Sequence, residues 1–511
     1  QFRDIGLEPA GENGGYRQRF DAVVEVERGA STALLAAGEP AAAESYMIPG
    51  FSAEGSVSAP VVFAEWGIAS EDHDIDNYAG IDVEGKIVLV RRFSPTDGVF
   101  DDTELQRRLG DIRFKAFKAR EKGALALLVA DFPEAGQEEA PLPQMRVDTS
   151  GDAGIPVAVV EHELAQRILD ENASVSLTTE LIERRKPIEN IVGRLSPDKR
   201  IAGAVMIGAH YDHLGMGGEG SLEPESTEPH NGADDNASGT AALLEAARNL
   251  VSRRDELSRD IVFVAFAGEE RGLLGSSELA KMPLPGMAPA GLVAMLNMDM
   301  VGRMRDNTVS ALGSDSAEEW NDILQPVCDA VRVKCKLGGD GYGPSDQTPF
   351  YAAGVPVVHF FTGAHEEYHK PSDDAHLINA AGGAKIAELV ASVAYELNGI
   401  DGLTYKESEA PAPVGDVRSY GASLGTIPDY TGAPDDKPGM LLAGVRAGGP
   451  AETAGLQRGD RIVELAGREI RDIYDLMFVL RESKPGEEAT FTAERGDERI
   501  EGKVIFGTSN R

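Results

Sequence analysis

Asn231-Gly232-Ala233-Asp234-Asp235-Asn236-Ala237-Ser238-Gly239 is the stretch on which the reading of this 511-residue chain turns. It places two neighbouring carboxylates in a glycine-flanked loop, a pattern suited to holding a cation. The loop runs straight into Gly239–Ser252, where Leu243, Leu244, Ala247, Leu250 and Val251 recur at helical spacing. Upstream, Ala204-Val205-Met206-Ile207-Gly208 reads as a buried strand and ends in His210-Tyr211-Asp212-His213. Downstream come apolar runs at 261–266, 292–296 and 355–361, then a second amphipathic helix at 384–397. Near-continuous apolar strands alternating with helices predict an α/β fold, a mixed but mostly parallel sheet between helices. Ligands of such sheets collect beyond the carboxyl ends of the strands.

The chemistry-bearing side chains fall at those ends. His210 closes the first strand, with Asp212 two residues on; Glu269 and Glu270 follow the 261–266 strand; Asp299 follows 292–296; His369 follows 355–361. Singly, an acidic residue there caps a helix or faces water; five coincidences at one edge argue against that reading. With Asp235 they offer two histidines and three carboxylates as ligands, plus one spare glutamate, a nitrogen and oxygen donor set that suits zinc and admits other divalent ions. Three protein ligands per ion with one shared carboxylate describe a two-metal site with open positions. Glu270 and Glu269 point in different directions, so one can bind metal while the other serves as base.

Two motif matches fail on context. His365-Glu366-Glu367-Tyr368-His369 has the spacing of a helical zinc motif, but Gly363 precedes it, Pro371 follows it, and no apolar stripe would dock such a helix. Gly421-Ala422-Ser423-Leu424-Gly425 has the spacing of a nucleophile elbow, yet no histidine follows His376.

A formal charge of −36 argues against nucleic acid, whose phosphates need lysine and arginine. No apolar run reaches the roughly 20 residues that span a bilayer. The sequence opens on Gln1-Phe2-Arg3 without an initiator Met, which reads as a mature or trimmed form with any export signal already gone. Cys328 and Cys335 could close a small disulfide in an exported protein, and two cysteines do not make a four-cysteine zinc site.

Taken together, His210-Tyr-Asp-His-Leu-Gly215, Gly232-Ala-Asp-Asp-Asn-Ala-Ser-Gly239, Gly268-Glu-Glu-Arg-Gly-Leu-Leu-Gly275, Asn297-Met-Asp-Met-Val-Gly302 and Tyr368-His-Lys-Pro-Ser-Asp-Asp374 resemble the co-catalytic di-zinc aminopeptidases. The resemblance implies an eight-stranded mixed sheet and hydrolysis of the peptide bond at a free amino terminus. By position it implies two Zn2+ ions, one on His210 and Asp299, the other on Glu270 and His369, with Asp235 bridging. The aspartate register is ambiguous by one, Asp234 being the alternative. Glu269 would be the general base, Asp212 would orient His210, and Tyr368 would either donate to the oxyanion or simply pack. Two rival readings remain. One is a carboxypeptidase of the same fold, with Arg303 and Arg305 for a free carboxylate. The other is a non-enzymatic receptor-like protein that binds peptides.

The flanks carry their own resemblances. Residues 36–184, with strands at 61–63, 86–90, 124–129 and 155–160 and a helix at 111–122, look like a protease-associated domain inserted in the catalytic unit. Residues 1–35 and 185–402 would then form that unit, with a strand at 15–20 completing its sheet. A charged, proline-containing linker (403–418) leads to 419–511, a β-rich module with a helix at 473–480. Ala447-Gly-Gly-Pro-Ala-Glu-Thr-Ala-Gly-Leu456 makes that module resemble a PDZ domain. Ser423, Leu424, Gly425 and Thr426 would be its loop for a peptide carboxylate. The whole implies a periplasmic or secreted protein without a transmembrane segment.

Overall fold

A computed structural model describes residues 1–508 apart from 71–72, 135–136, 148–151, 199, 218–219, 224–225, 409–421, 429–436, 447 and 497. The apolar runs around the acidic loop form the centre of a nine-stranded sheet. Asp260–Phe266, Ala204–His210, Leu292–Met298 and Val357–Phe361 lie side by side and parallel, so their carboxyl ends share one edge. Leu181–Leu195 flanks them antiparallel on one side and Thr308–Leu312 on the other. Their side chains are buried on both faces, which is why they alternate so little in polarity. Gly239–Ser252 and Ala380–Asn398 cover one face through Ala242, Leu243, Leu250, Ile386, Val390 and Leu397.

The sheet has nine strands rather than the eight implied by resemblance. Arg17–Arg28, longer than the 15–20 run suggested, pairs antiparallel along Leu181–Leu195 and adds a strand off the main order. Glu8–Pro9 pairs with that same long strand, and Phe2 and Leu7 enter the main core.

Between these ribbon strands lies a second, eight-stranded sheet. Gly55–Phe63, Ile87–Arg91, Ala126–Ala130 and Val157–Val160 run parallel at its centre. The helix expected at 111–122 is Ile112–Glu121, opened by the Asp111 carboxylate accepting from Phe114 N–H at 2.9 Å. A shorter helix before it, Thr103–Gly110, has no counterpart in the sequence reading.

Thr404, Tyr405 and Ser408 are hydrogen-bonded to the main unit, Tyr405 through the Tyr351 carbonyl. The rest of the linker, 409–418, and Ala447 lie outside the described residues. The last module is built on strands Thr426–Pro428, Met440–Val445, Asp460–Leu465, Glu488–Arg495 and Glu498–Ile505 around the helix Ile473–Glu482. That helix meets Thr103–Gly110 of the inserted unit, where the Asp475 carboxylate receives Thr103 and Arg107. No helix among the described residues is long and apolar enough to cross a membrane.

Candidate metal centre

Each parallel strand leads to at least one of these side chains at the common edge, where the acidic loop meets them. The loop is held by close approach. A Cβ on Gly239 would sit 2.2 Å from Asn236 Oδ1 and 2.5 Å from the Met298 carbonyl. Asn236 occupies that space, donating to Met298 O at 2.9 Å and accepting from Gly239 N–H at 2.9 Å. The loop is thereby tied to the strand that leads to Asp299.

Within it the two aspartates part ways. Asp235 Oδ1 lies 3.3 Å from His210 Nε2 and its Oδ2 lies 3.2 Å from His369 Nε2. Asp234 turns the other way: its Oδ1 accepts from Gly302 N–H at 2.6 Å and its Oδ2 lies 3.2 Å from His365 Nε2. Asp373 fixes the turn between them, one oxygen accepting from both Asp234 and Asp235 N–H at 2.7 and 3.1 Å. His365 and His369 therefore serve different clusters. Residues 366–369 form a turn rather than a helix, so the helical zinc motif does not form.

His210 Nε2 is also 3.3 Å from Asp299 Oδ1, and His369 Nε2 is 3.2 Å from Glu270 Oε2. Glu269 joins His210 and Asp299 in one trio of potential donors; His213, Asp235 and Glu270 form a second. His213, absent from the residues singled out in the sequence, places Nδ1 2.7 Å from Glu270 Oε1. Its signal was available, three positions after His210 in the same motif. Asp212 meets His210 through its backbone. Its carbonyl is 3.2 Å from His210 Nδ1 while its carboxylate is 4.0 Å away. That carboxylate accepts from Glu269 and Glu270 N–H at 3.2 and 3.4 Å instead. Tyr368 stacks on His369 with ring centroids 3.8 Å apart. Ser345, also unforeseen, donates to Asp299 Oδ2 at 2.8 Å and is itself held by Asn297 at 2.9 Å.

The electrostatics fit a cation. Burial raises Glu269 well above the usual carboxylate range, and Asp299, Asp346 and Glu270 add repulsion. Burial also raises Asp346, to about 7. For His369 burial opposes charging, yet its hydrogen bonds to the Asp235 and Glu270 carboxylates push it up to about 10. Burial likewise opposes charging of His210, and Asp299, Glu269 and Asp235 outweigh it. Imidazoles held this basic mark an excess of negative charge that protons fill when metal does not. His210 Nε2 and Asp299 Oδ1 are buried without a hydrogen-bond partner, aimed at each other across a gap. Tetrahedral ligands at the zinc distance stand about 3.3 Å apart. The four separations of 3.2–3.3 Å match that spacing.

Arg303, a candidate for a substrate carboxylate, is committed elsewhere: it lies 2.9 Å from Asp373 and 3.4 Å from Glu367, nine-tenths buried. In the last module Leu424 is buried and Gly425 N–H is 3.2 Å from Ser423 Oγ. Among the described residues Thr426–Pro428 pairs only with Met440–Val445, at the end of its sheet.

Residues 190–394 match peptidase family M28, 57–168 a PA domain and 442–495 a PDZ domain. The chain is 28% identical over 330 residues to "Aminopeptidase YwaD" of Bacillus subtilis, covering 62% of this chain and 63% of that protein. It is 31% identical over 202 residues to a "Probable leucine aminopeptidase" of Trichophyton verrucosum, covering 38% of this chain and 54% of the relative. It thus spans under two thirds of the length of these curated relatives. Among solved structures, a zinc aminopeptidase from Bacillus subtilis superposes with a TM-score of 0.46 at 24% identity, covering 81% of this chain and 89% of that one.

Proposed function

We propose, from the match of residues 190–394 to peptidase family M28, that the chain is a metal-dependent aminopeptidase that removes residues from peptides with a free amino terminus. The convergence of His210, Asp235, Glu270, Asp299 and His369, with Asp235 between the two histidines, carries the reading. His210 and Asp299 would hold one Zn2+, Glu270 and His369 a second, and Asp235 both. Such ions supply Lewis acidity toward a carbonyl oxygen and a water that ionises near neutrality.

The chain's own groups do the rest. His369 Nδ1 lies 2.8 Å from the Gly220 carbonyl, which fixes the tautomer and leaves Nε2 for the cation. The Asp212 carbonyl does the same for His210, and the Asp212 carboxylate holds the backbone of the two glutamates. Glu269 takes the proton of the attacking water and returns it to the departing amine. The Tyr368 hydroxyl donates to the carbonyl oxygen as it becomes anionic.

Residues 1–35 and 185–402 form the catalytic unit, 36–184 the inserted domain, 403–418 a linker and 419–511 the PDZ module. In the last, the Ser423–Leu424–Gly425–Thr426 loop receives a peptide carboxylate while the peptide pairs with the Thr426–Pro428 edge. The disulfide between Cys328 and Cys335 suits a periplasmic or secreted protein.

The test is metal analysis together with a panel of unblocked aminoacyl substrates, with and without chelator. Two cations per chain and chelator-sensitive release of the terminal residue are expected. Cleavage of an N-blocked acidic dipeptide instead would favour a carboxypeptidase, which the engaged Arg303 disfavours. Metal content near zero would favour a receptor-like binding protein.

A further inference from the structure

We propose that His213 is the positioning residue for Glu270, holding one carboxylate oxygen so that only the other is offered to a cation. The inference rests on the two-cation reading above and deepens it. His213 Nδ1 lies 2.7 Å from Glu270 Oε1, whereas Glu270 Oε2 faces His369 Nε2 at 3.2 Å. The two oxygens of one carboxylate thus have different partners. With Nδ1 protonated, His213 donates to Oε1, and Oε2 alone remains for the ion shared with Asp235 and His369.

Direct ligation by His213 is the competing reading, since it lies in a donor trio with Asp235 and Glu270. The distances separate the two. Donors on one tetrahedral ion stand about 3.3 Å apart, and the His369 contacts to Asp235 and Glu270 have that spacing, 3.2 Å each. The His213 contact is shorter, has hydrogen-bond length, and uses the opposite oxygen.

The ring is also gripped from two sides. A Cβ on Gly232 would lie 2.5 Å from His213 Cγ, so glycine at the head of the acidic loop is what lets the imidazole in. On another side His369 packs edge-on, with ring centroids 5.8 Å apart. His213 therefore wedges the Asp235 loop against the Glu270 turn and fixes both. Monodentate Glu270 leaves this cation position with three protein ligands and room for substrate or water, as catalytic zinc sites require.

The experiment compares His213→Ala and His213→Asn with the wild-type 511-residue chain, titrating each metal-free protein with Zn2+ and recording the visible spectrum of the Co2+ forms. Asn keeps an N–H donor where Nδ1 stood but is a poor zinc ligand. In His213→Ala one of the two bound equivalents should weaken by about ten- to a hundredfold, and the Co2+ absorption should fall as Glu270 becomes bidentate. His213→Asn should recover both affinity and spectrum. Circular dichroism of the two metal-free variants checks that they fold alike.

Wild-type affinity and spectrum in His213→Ala would overturn the proposal. So would the same loss in both variants, which would mark His213 as a ligand. A wild-type chain that binds two cations tightly but releases no terminal residue would sink the peptidase reading while leaving this one standing. One that takes up no cation would end both.

Discussion

Two of the places where this molecule buries carboxylates are compensated differently. Where the PDZ helix meets the inserted domain, Asp475 is fully buried, but its oxygens receive Arg471 Nε at 2.9 Å, Arg471 N–H at 3.1 Å, Thr103 Oγ1 and, at 3.4 Å, Arg107. Burial alone would raise that carboxyl; the bonds from Arg471 and Thr103 outweigh it and hold it below the ordinary value. At the sheet edge Asp235, Glu269, Glu270 and Asp299 face the imidazoles of His210, His213 and His369, and among the described residues no lysine or arginine pairs with them. Glu269 moves up where Asp475 moves down. A cluster closed on itself contributes to folding; a cluster left short of positive charge is poised for a cation.

The sharpest way to break this contrast is at Glu269, the carboxylate at the edge that the reading assigns to proton transfer rather than to metal. Glu269→Ala is expected to lower kcat by roughly three to four orders of magnitude while both cations stay bound by metal analysis. Ordinary turnover in that variant would remove Glu269 from the mechanism. Asp235→Asn attacks the shared ligand. It should weaken both cations by more than about a hundredfold, read by competition with a chelator, and abolish activity unless metal is in large excess.

Legibility in the sequence divides along similar lines. The strand-end positions of His210, Glu270, Asp299 and His369 could be read because each follows an apolar run, and parallel strands bring their carboxyl ends together whatever the detailed packing. Which aspartate faces inward could not, because it depends on Asp373, over a hundred residues away, pinning the turn. Nor could the way Asp212 meets His210: carbonyl versus carboxylate is settled by the local chain path. The nine-stranded sheet escaped for a related reason. Arg17–Arg28 and Leu181–Leu195 are long, polar ribbon strands whose pairing spans the whole insert. His213 and Ser345 stood in plain view, but a side chain that acts through a ligand leaves no spacing rule of its own.

On the self-compensated side, Asp475→Asn should cost stability rather than activity. Removing one partner of a buried ion pair costs about 3 kcal/mol, read as a lower unfolding midpoint for the PDZ module. The pH dependence has a definite sign. A carboxyl held below its unfolded value near 4 contributes fully above that value, and the contribution fades as pH falls through the lower folded value. The gap between wild type and Asp475→Asn should therefore be flat from neutrality to about pH 4 and close below it. A gap that instead opened on acidification would mean Asp475 is not held by its arginines.

The smallest effect is expected at Ser345, and it tests whether the edge cluster answers to cations instead of to folding. Ser345 Oγ donates to Asp299 Oδ2, the oxygen turned away from His210, and Asn297 holds Ser345 from behind. Ser345→Ala leaves every proposed ligand in place and removes only that donor. Because the Asp299 carboxylate is already in excess negative charge, the metal-free protein should unfold within a degree or two of wild type. The affinity for one cation should fall about tenfold, as Asp299 swings between its oxygens. If the metal-free variant is instead markedly destabilised and its cation affinity is unchanged, the sheet edge behaves like the Asp475 cluster, and the difference between the two regions disappears.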